Sequence, residues 1–112
     1  MTLSKFAHYN GLFVGAVCTR LEAKNRKLYI MTLGVLAAYR GRGIGTKLIQ
    51  SVLDYAKEEE RIDEIYLHVQ TNNHDAMHFY ESRFEFIRGE KIENYYRRID
   101  PPDCYILYKM LK

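Results

Sequence analysis

An α/β domain with a mixed central sheet and flanking helices is predicted by three features of this 112-residue chain. Leu28 to Leu36 is rich in strand-forming residues and runs into a glycine-rich turn. An amphipathic helix follows the turn, and a second alternating strand follows the helix. Strand, helix and strand in that order make a βαβ unit, whose right-handed crossover lays the two strands parallel. Neighbouring strands lie about 4.8 Å apart, so polar residues on matching faces can converge on one ligand.

Taken in order, Met1 to Lys5 carries little pattern. Phe6 to Leu21 reads as a strand pair turning at Asn10-Gly11, a dipeptide suited to the left-handed geometry of a tight hairpin. Glu22 to Lys27 is polar and reads as a loop before the strand that starts at Leu28. Ala37, Ala38 and Tyr39 precede the turn Arg40-Gly41-Arg42-Gly43-Ile44-Gly45, where glycine permits close backbone approach. Ile44, Leu48, Val52 and Ala56 then recur every four residues, with Ile49 and Leu53 beside them, which gives a helix one apolar face; Glu58 to Arg61 closes it with charge. Glu64 to Gln70 alternates Ile65, Leu67 and Val69 with Tyr66, His68 and Gln70, the period of a strand with two unlike faces. Asn72, Asn73 and Asp75 are N-cap candidates for a second helix containing Ala76, Phe79 and Tyr80. Two last extended segments, Glu85 to Lys91 and Cys104 to Leu111, flank a loop holding Asn94-Tyr95-Tyr96 and Pro101-Pro102.

Composition bounds the function. The length fits one domain, residues 1–112, and 47% hydrophobic with 28% charged residues is ordinary for a globular protein. A net charge of +3 without a long Lys/Arg cluster points to a small anionic ligand rather than to a nucleic-acid surface. The longest apolar run, Leu12 to Cys18, is too short to span a bilayer, and no secretory signal pattern opens the chain. Cys18 and Cys104 lie far apart without metal-type spacing, so two reduced thiols are expected, and no metal. An intracellular, cytoplasmic protein is the expectation. Tyrosine supplies 10 of the 15 aromatic residues, and phenolic hydroxyls on rigid rings suit a groove for a peptide backbone as well as a strand surface.

The glycine turn carries the most specific signal. The first amides of the following helix have no partner within it and point outward with the positive end of the dipole, so a pyrophosphate suits them. A P-loop requires Lys and then Ser or Thr after its last glycine, whereas Thr46 and then Lys47 follow Gly45. GxGxxG counted from Gly41 meets Thr46 at its sixth place. Neither pattern fits.

Arg40, Gly43 and Gly45 instead match the RxxGxG signature of the GNAT acetyltransferases. With YIMTLGVL before the turn and YLHVQTNN and HFY after it, residues 8–112 closely resemble the N-terminal acetyltransferase E type of that family. The resemblance implies the GNAT acyl-CoA N-acyltransferase fold, acetyl-CoA as cosubstrate, and transfer of acetyl to the α-amino group of Met-initiated protein N-termini by direct attack. It also implies association with the acetyltransferase A complex and the ribosome, in the cytoplasm and also the nucleus. A strand and one or two helices that normally precede the glycine turn in this family are expected to be missing, and with them one wall of the substrate groove.

The same resemblance implies the site. Tyr29 and His68 correspond to the catalytic pair that relays the amine proton through water. A free α-amino group has a pKa of about 7.7 to 8.0, so near neutrality a base must remove its proton. Leu33, Gly34 and Val35 correspond to the segment whose strand bulges and offers an amide to the thioester carbonyl. Arg40, Gly41, Arg42, Gly43, Ile44, Gly45 and Thr46 hold the pyrophosphate. Asn73 corresponds to a contact of the pantetheine arm, although helix capping explains it equally well, and Tyr80 corresponds to the tyrosine that hydrogen-bonds the CoA sulfur. Met31, Tyr95 and Tyr96 correspond to the lining of the peptide groove. One departure stands out: the family follows its FY with three residues and Gly-Phe, whereas Phe79-Tyr80 is followed by Glu81-Ser82-Arg83-Phe84-Glu85-Phe86, one residue longer and without the glycine. A costlier turn or a shifted helix end is therefore expected. A lysine or small-amine acetyltransferase, and a non-catalytic chain that binds CoA or a partner, are the competing readings.

Overall fold

The computed structural model describes residues 2–112. They form two compact units, one of residues up to Ile65 together with Leu111–Lys112, the other Tyr66–Met110.

In the first unit, β1 (Thr2–Tyr9), β2 (Leu12–Glu22) and β3 (Lys27–Val35) form an antiparallel meander, and the helix α1 (Ile44–Glu58) packs on it. The β1–β2 turn is as expected, with Asn10 at φ 50 and Gly11 at φ 82, both left-handed as a two-residue hairpin of the right twist requires. β1 begins at Thr2 rather than Phe6, because Thr2 to Lys5 are held in register by Arg20 to Val17 of β2; a partner strand supplies the order that their own pattern lacks. Between Ala7 and His8 the register shifts so that Val14 is the extra residue of β2. Its carbonyl accepts the amide of Leu36 at 2.8 Å, tying the bulge to the end of β3.

The expected loop at 22–27 holds a 3-10 turn, Ala23–Asn25, closed by Arg26 at φ 57. The Arg26 guanidinium pairs with Asp63 at 2.7 Å. The core of this unit is Val14, Val17, Leu28 and Ile30 from the strands against Leu48, Ile49, Val52, Leu53 and Ala56 of α1. These helix positions are the apolar face read from the sequence. Each large aliphatic side chain so buried contributes on the order of 1.5–3 kcal/mol relative to exposure. Gly15 is required where α1 meets the sheet: a Cβ there would lie 3.0 Å from the Gly34 carbonyl oxygen and 3.4 Å from both Ile44 and Leu48.

β4 (Glu64–Gln70) has the predicted bounds, and Ile65, Leu67 and Val69 are buried while Tyr66, His68 and Gln70 are half-buried. The unit boundary falls within it. The second unit continues with α2 (His74–His78), a π-helical turn at Phe79–Arg83, β5 (Ile87–Ile92) and β6 (Cys104–Met110), the last two antiparallel and with β6 between β4 and β5. Leu67, Val69, Met77, Tyr80, Phe84, Phe86, Cys104 and Leu107 are its buried side chains. β5 starts two residues later than Glu85, because Glu85 itself is left-handed at φ 59 and cannot open a strand. β6 ends at Met110, since the Leu111 amide turns to the carbonyl of Asp63 at 2.8 Å.

Candidate active site

In the first unit the site residues lie on β3, the turn after it and the first turn of α1. Tyr29 is half-buried on β3 opposite Arg20, whose guanidinium sits 5.3 Å from the ring centroid. The irregularity in this strand falls at Met31, the extra residue between Ile30 opposite Thr19 and Thr32 opposite Cys18, and Met31 is exposed. Leu33 and Gly34, two and three residues further on, pair in regular register with Val17 and Ala16, and Val35 with Gly15. The β2-facing bulge thus precedes the segment for which one was expected.

The glycine turn is built from short-range geometry. Ala37–Tyr39 forms a 3-10 turn, and Arg40 leaves it extended, its Nε donating back to the Val35 carbonyl at 3.0 Å. Gly41 and Gly43 both stand at φ 79, where a side chain is strained, and a Cβ on either would meet nothing within 4 Å. Gly43 is the N-cap of α1, with its carbonyl accepting the Lys47 amide at 3.0 Å and no side chain capping the helix. Ile44, Gly45 and Thr46 form the first turn of a 15-residue helix, so its unpartnered amides and positive dipole end face an open loop. A pyrophosphate fits this arrangement, since the bare glycines allow its oxygens to approach the backbone.

In the second unit His68 lies under Tyr95: the rings stack with centroids 4.5 Å apart and planes 20° from parallel, and the Tyr95 hydroxyl is 3.4 Å from His68 Nδ1. Tyr66, two residues earlier on β4, meets the His68 ring edge-on at 6.0 Å, and Tyr96 meets Tyr95 at 5.0 Å. The loop carrying both tyrosines is fastened. The Asn94 amide donates to Asp103 Oδ1 at 2.9 Å, the Tyr96 amide to the Pro102 carbonyl at 2.9 Å, and Gln70 Nε2 to the Pro101 carbonyl at 2.9 Å. Burial raises the pKa of Tyr96.

Asn73 caps α2, its Oδ1 accepting the Ala76 amide at 3.2 Å. Tyr80 falls within the π-helical turn, 4% exposed, with its ring against Phe79 and Phe86 at 5.0 and 5.4 Å. Burial pushes its phenol well above the ordinary value, so it stays protonated across the neutral range. The extra residue after Phe79-Tyr80 is absorbed by the π turn, which takes one residue more per turn than an α-helix. Phe86 then closes on the Tyr80 carbonyl at 3.1 Å, a Schellman-like bond one residue wider than usual. Glu85 occupies the left-handed place of the family glycine.

Sequence reasoning missed two contacts of the site. One is the Tyr95–His68 stack, which sequence separation hides; the other is the pair Tyr9 and Tyr39 against Arg42, described below.

Residues 2–86 match the family model described as "Acetyltransferase (GNAT) family". The chain belongs to the GNAT acetyltransferase family. Its fold is the GNAT fold, built of β-strands with a few helices. Among curated relatives, the probable N-acetyltransferase san of Drosophila melanogaster is 45% identical over 98% of this chain and 60% of its own length. N-alpha-acetyltransferase 50 of Danio rerio is 49% identical over 98% of this chain and 66% of its own length. The chain therefore spans just under two thirds of these relatives. Arabidopsis thaliana Naa50, solved in complex with the bisubstrate analogue CoA-Ac-MVNAL, superposes with a TM-score of 0.88 at 50% identity, over 95% of this chain and 71% of that one.

Proposed function

We propose that this chain is an acetyl-CoA-dependent N-alpha-acetyltransferase acting on Met-initiated protein N-termini. What carries the reading is about one residue in two shared with N-alpha-acetyltransferases over nearly the whole chain, glycine turn included, one of them in complex with a CoA–peptide analogue. The open, uncapped N-terminus of α1 behind two left-handed glycines supports the cofactor assignment.

In this reading the turn at Arg40–Thr46 binds the pyrophosphate through backbone amides, and Asn73 contacts the pantetheine arm through Nδ2, since its Oδ1 is committed to the cap. Tyr29 and His68 take the proton from the attacking amine through water, and the Leu33 amide donates to the acyl oxygen as charge develops on it. The amine nitrogen bonds to the acyl carbon as the carbon–sulfur bond breaks, and Tyr80 donates to the departing thiolate. Met31, Tyr95 and Tyr96 contact the acceptor peptide. Association with the acetyltransferase A complex and the ribosome, in cytoplasm and nucleus, goes with the same assignment.

The test is mass spectrometry of two peptides that share an internal lysine and differ only in a blocked α-amine. Acetylation is expected on the free α-amine and lost when it is blocked; acetylation that persists on lysine selects the side-chain acetyltransferase instead. Tight CoA binding by calorimetry without turnover selects a non-catalytic binding module. His68→Ala is expected to lower kcat by about 100-fold while CoA affinity stays within about twofold. Equal losses in both would assign His68 to structure.

A further inference from the structure

The segment Gly41–Gly43 is poorly held by its own backbone. Both glycines stand at φ 79 with open space around them, and among the described residues no amide of Gly41, Arg42 or Gly43 makes a backbone hydrogen bond. Glycine gives up more conformational freedom on ordering than any other residue, so a turn like this one needs an external hold to keep one shape. Arg42 is the only residue of the three with a side chain.

That side chain has a seat. The Arg42 guanidinium carbon lies 5.6 Å from the ring centroid of Tyr9 and 5.3 Å from that of Tyr39, and the two rings are themselves 5.6 Å apart. The guanidinium thus touches two negative ring faces at once, the cation–π arrangement in which arginine is favoured. The fold places the rings deliberately. Tyr9 is the last residue of β1 before the left-handed Asn10-Gly11 turn, and Tyr39 ends the 3-10 turn after β3. The Val14 bulge carbonyl, bound to the Leu36 amide at 2.8 Å, joins the hairpin to the segment that carries Tyr39.

We propose that Tyr9 and Tyr39 are positioning residues for the cofactor. Together they grip Arg42 and so keep the Gly41–Gly43 backbone in the left-handed form that leaves the α1 amides open to phosphate. The inference rests on the acetyl-CoA reading above and adds to it a pair of aromatic residues outside the RxxGxG pattern. Neither ring is required to touch the ligand.

The experiment measures CoA affinity by calorimetry, acetyl-CoA steady-state kinetics and thermal melting for the native chain and a set of variants. Tyr9→Leu, Tyr39→Leu and Arg42→Gln are each expected to weaken CoA binding and raise KM by about three- to tenfold, with kcat within about twofold and little change in melting temperature. Tyr9→Phe and Tyr39→Phe, which keep a ring face under the guanidinium, are expected to recover most of the affinity. The double variant Tyr9→Leu with Arg42→Gln is expected to bind no worse than Arg42→Gln alone, because one interaction is removed only once. Leu variants that bind like the native chain, additive losses in the double variant, or losses that follow a fall in melting temperature would each overturn the clamp and leave the cofactor assignment standing. A native chain that fails to bind CoA removes that assignment and the clamp with it.

Discussion

The start of α1 and the end of α2 both depend on left-handed backbone, and they obtain it by different means. Ahead of α1, glycine occupies both such positions, Gly41 and Gly43, so the turn adopts φ 79 without steric penalty and exposes its amides. Beyond α2, glutamate occupies the corresponding position: Glu85 stands at φ 59, at a cost of roughly 1–2 kcal/mol, and a π-helical turn takes up an added residue. The first turn is shaped for a ligand to approach its backbone. The second is shaped to bury Tyr80, Phe84 and Phe86, whose packing offsets the strain. Left-handed geometry alone therefore does not mark a binding loop; what sets the first turn apart is that its left-handed glycines stand at the uncapped start of a 15-residue helix.

Substitutions test that contrast in order of size. Gly43→Val places a β-branched residue at φ 79 and is expected to lower kcat/KM for acetyl-CoA by about 30- to 100-fold, measured by steady-state kinetics. A near-native value would show that the left-handed glycine is not held for the ligand. Gly15→Ala, where a Cβ would meet the Gly34 carbonyl oxygen at 3.0 Å, is expected to destabilise the chain by about 1–2 kcal/mol in urea denaturation. No change there would mean that α1 can shift on the sheet. Glu85→Gly should raise the melting temperature by about 2–5 °C, as strain is relieved against the added freedom of glycine in the unfolded chain. A fall would place the glutamate side chain among the stabilising contacts.

The smallest effect concerns the other end of α1. There the Arg61 side chain, and then its amide, donate to Glu59 and hold its carboxyl at about 2, against an ordinary 4.5. Asp63 is lowered in the same direction by its hydrogen bonds from Arg26. Because the folded state binds these protons less readily than the unfolded one, the stabilisation is present above about pH 4.5 and is lost as pH falls towards 2. Both carboxylates are only half-buried and stay open to solvent screening, so the loss is slight. Glu59→Gln should flatten the acid limb of a melting-temperature profile, and an unchanged limb would remove the pair from the account.

Much of this fold was legible because its signals are local. The alternation in Glu64–Gln70 set the bounds of β4, the four-residue spacing set the buried face of α1, and Asn10-Gly11 set the hairpin. What escaped reading depends on partners distant in sequence. Thr2–Lys5 are strand only because β2 pairs with them, and Glu85 reads as the first residue of a strand until the turn before it is seen. The candidate site divides in the same way. The RxxGxG turn and the Asn73 cap are short-range patterns, while the stack of Tyr95 on His68 and the hold of Tyr9 on Arg42 join residues at least 27 apart along the chain.

Lys112 donates its ammonium to the carbonyls of Glu59 and Ile62, at 3.0 and 2.7 Å, next to the Leu111 amide on Asp63. These two residues act as a latch on the exit from α1, supplying protons to carbonyls that the helix can no longer serve. Replacing Lys112 would return the Ile62 carbonyl to water and leave the Glu59 carbonyl to the Ile62 amide alone, so the short link between α1 and β4 would lose one of its ties and loosen.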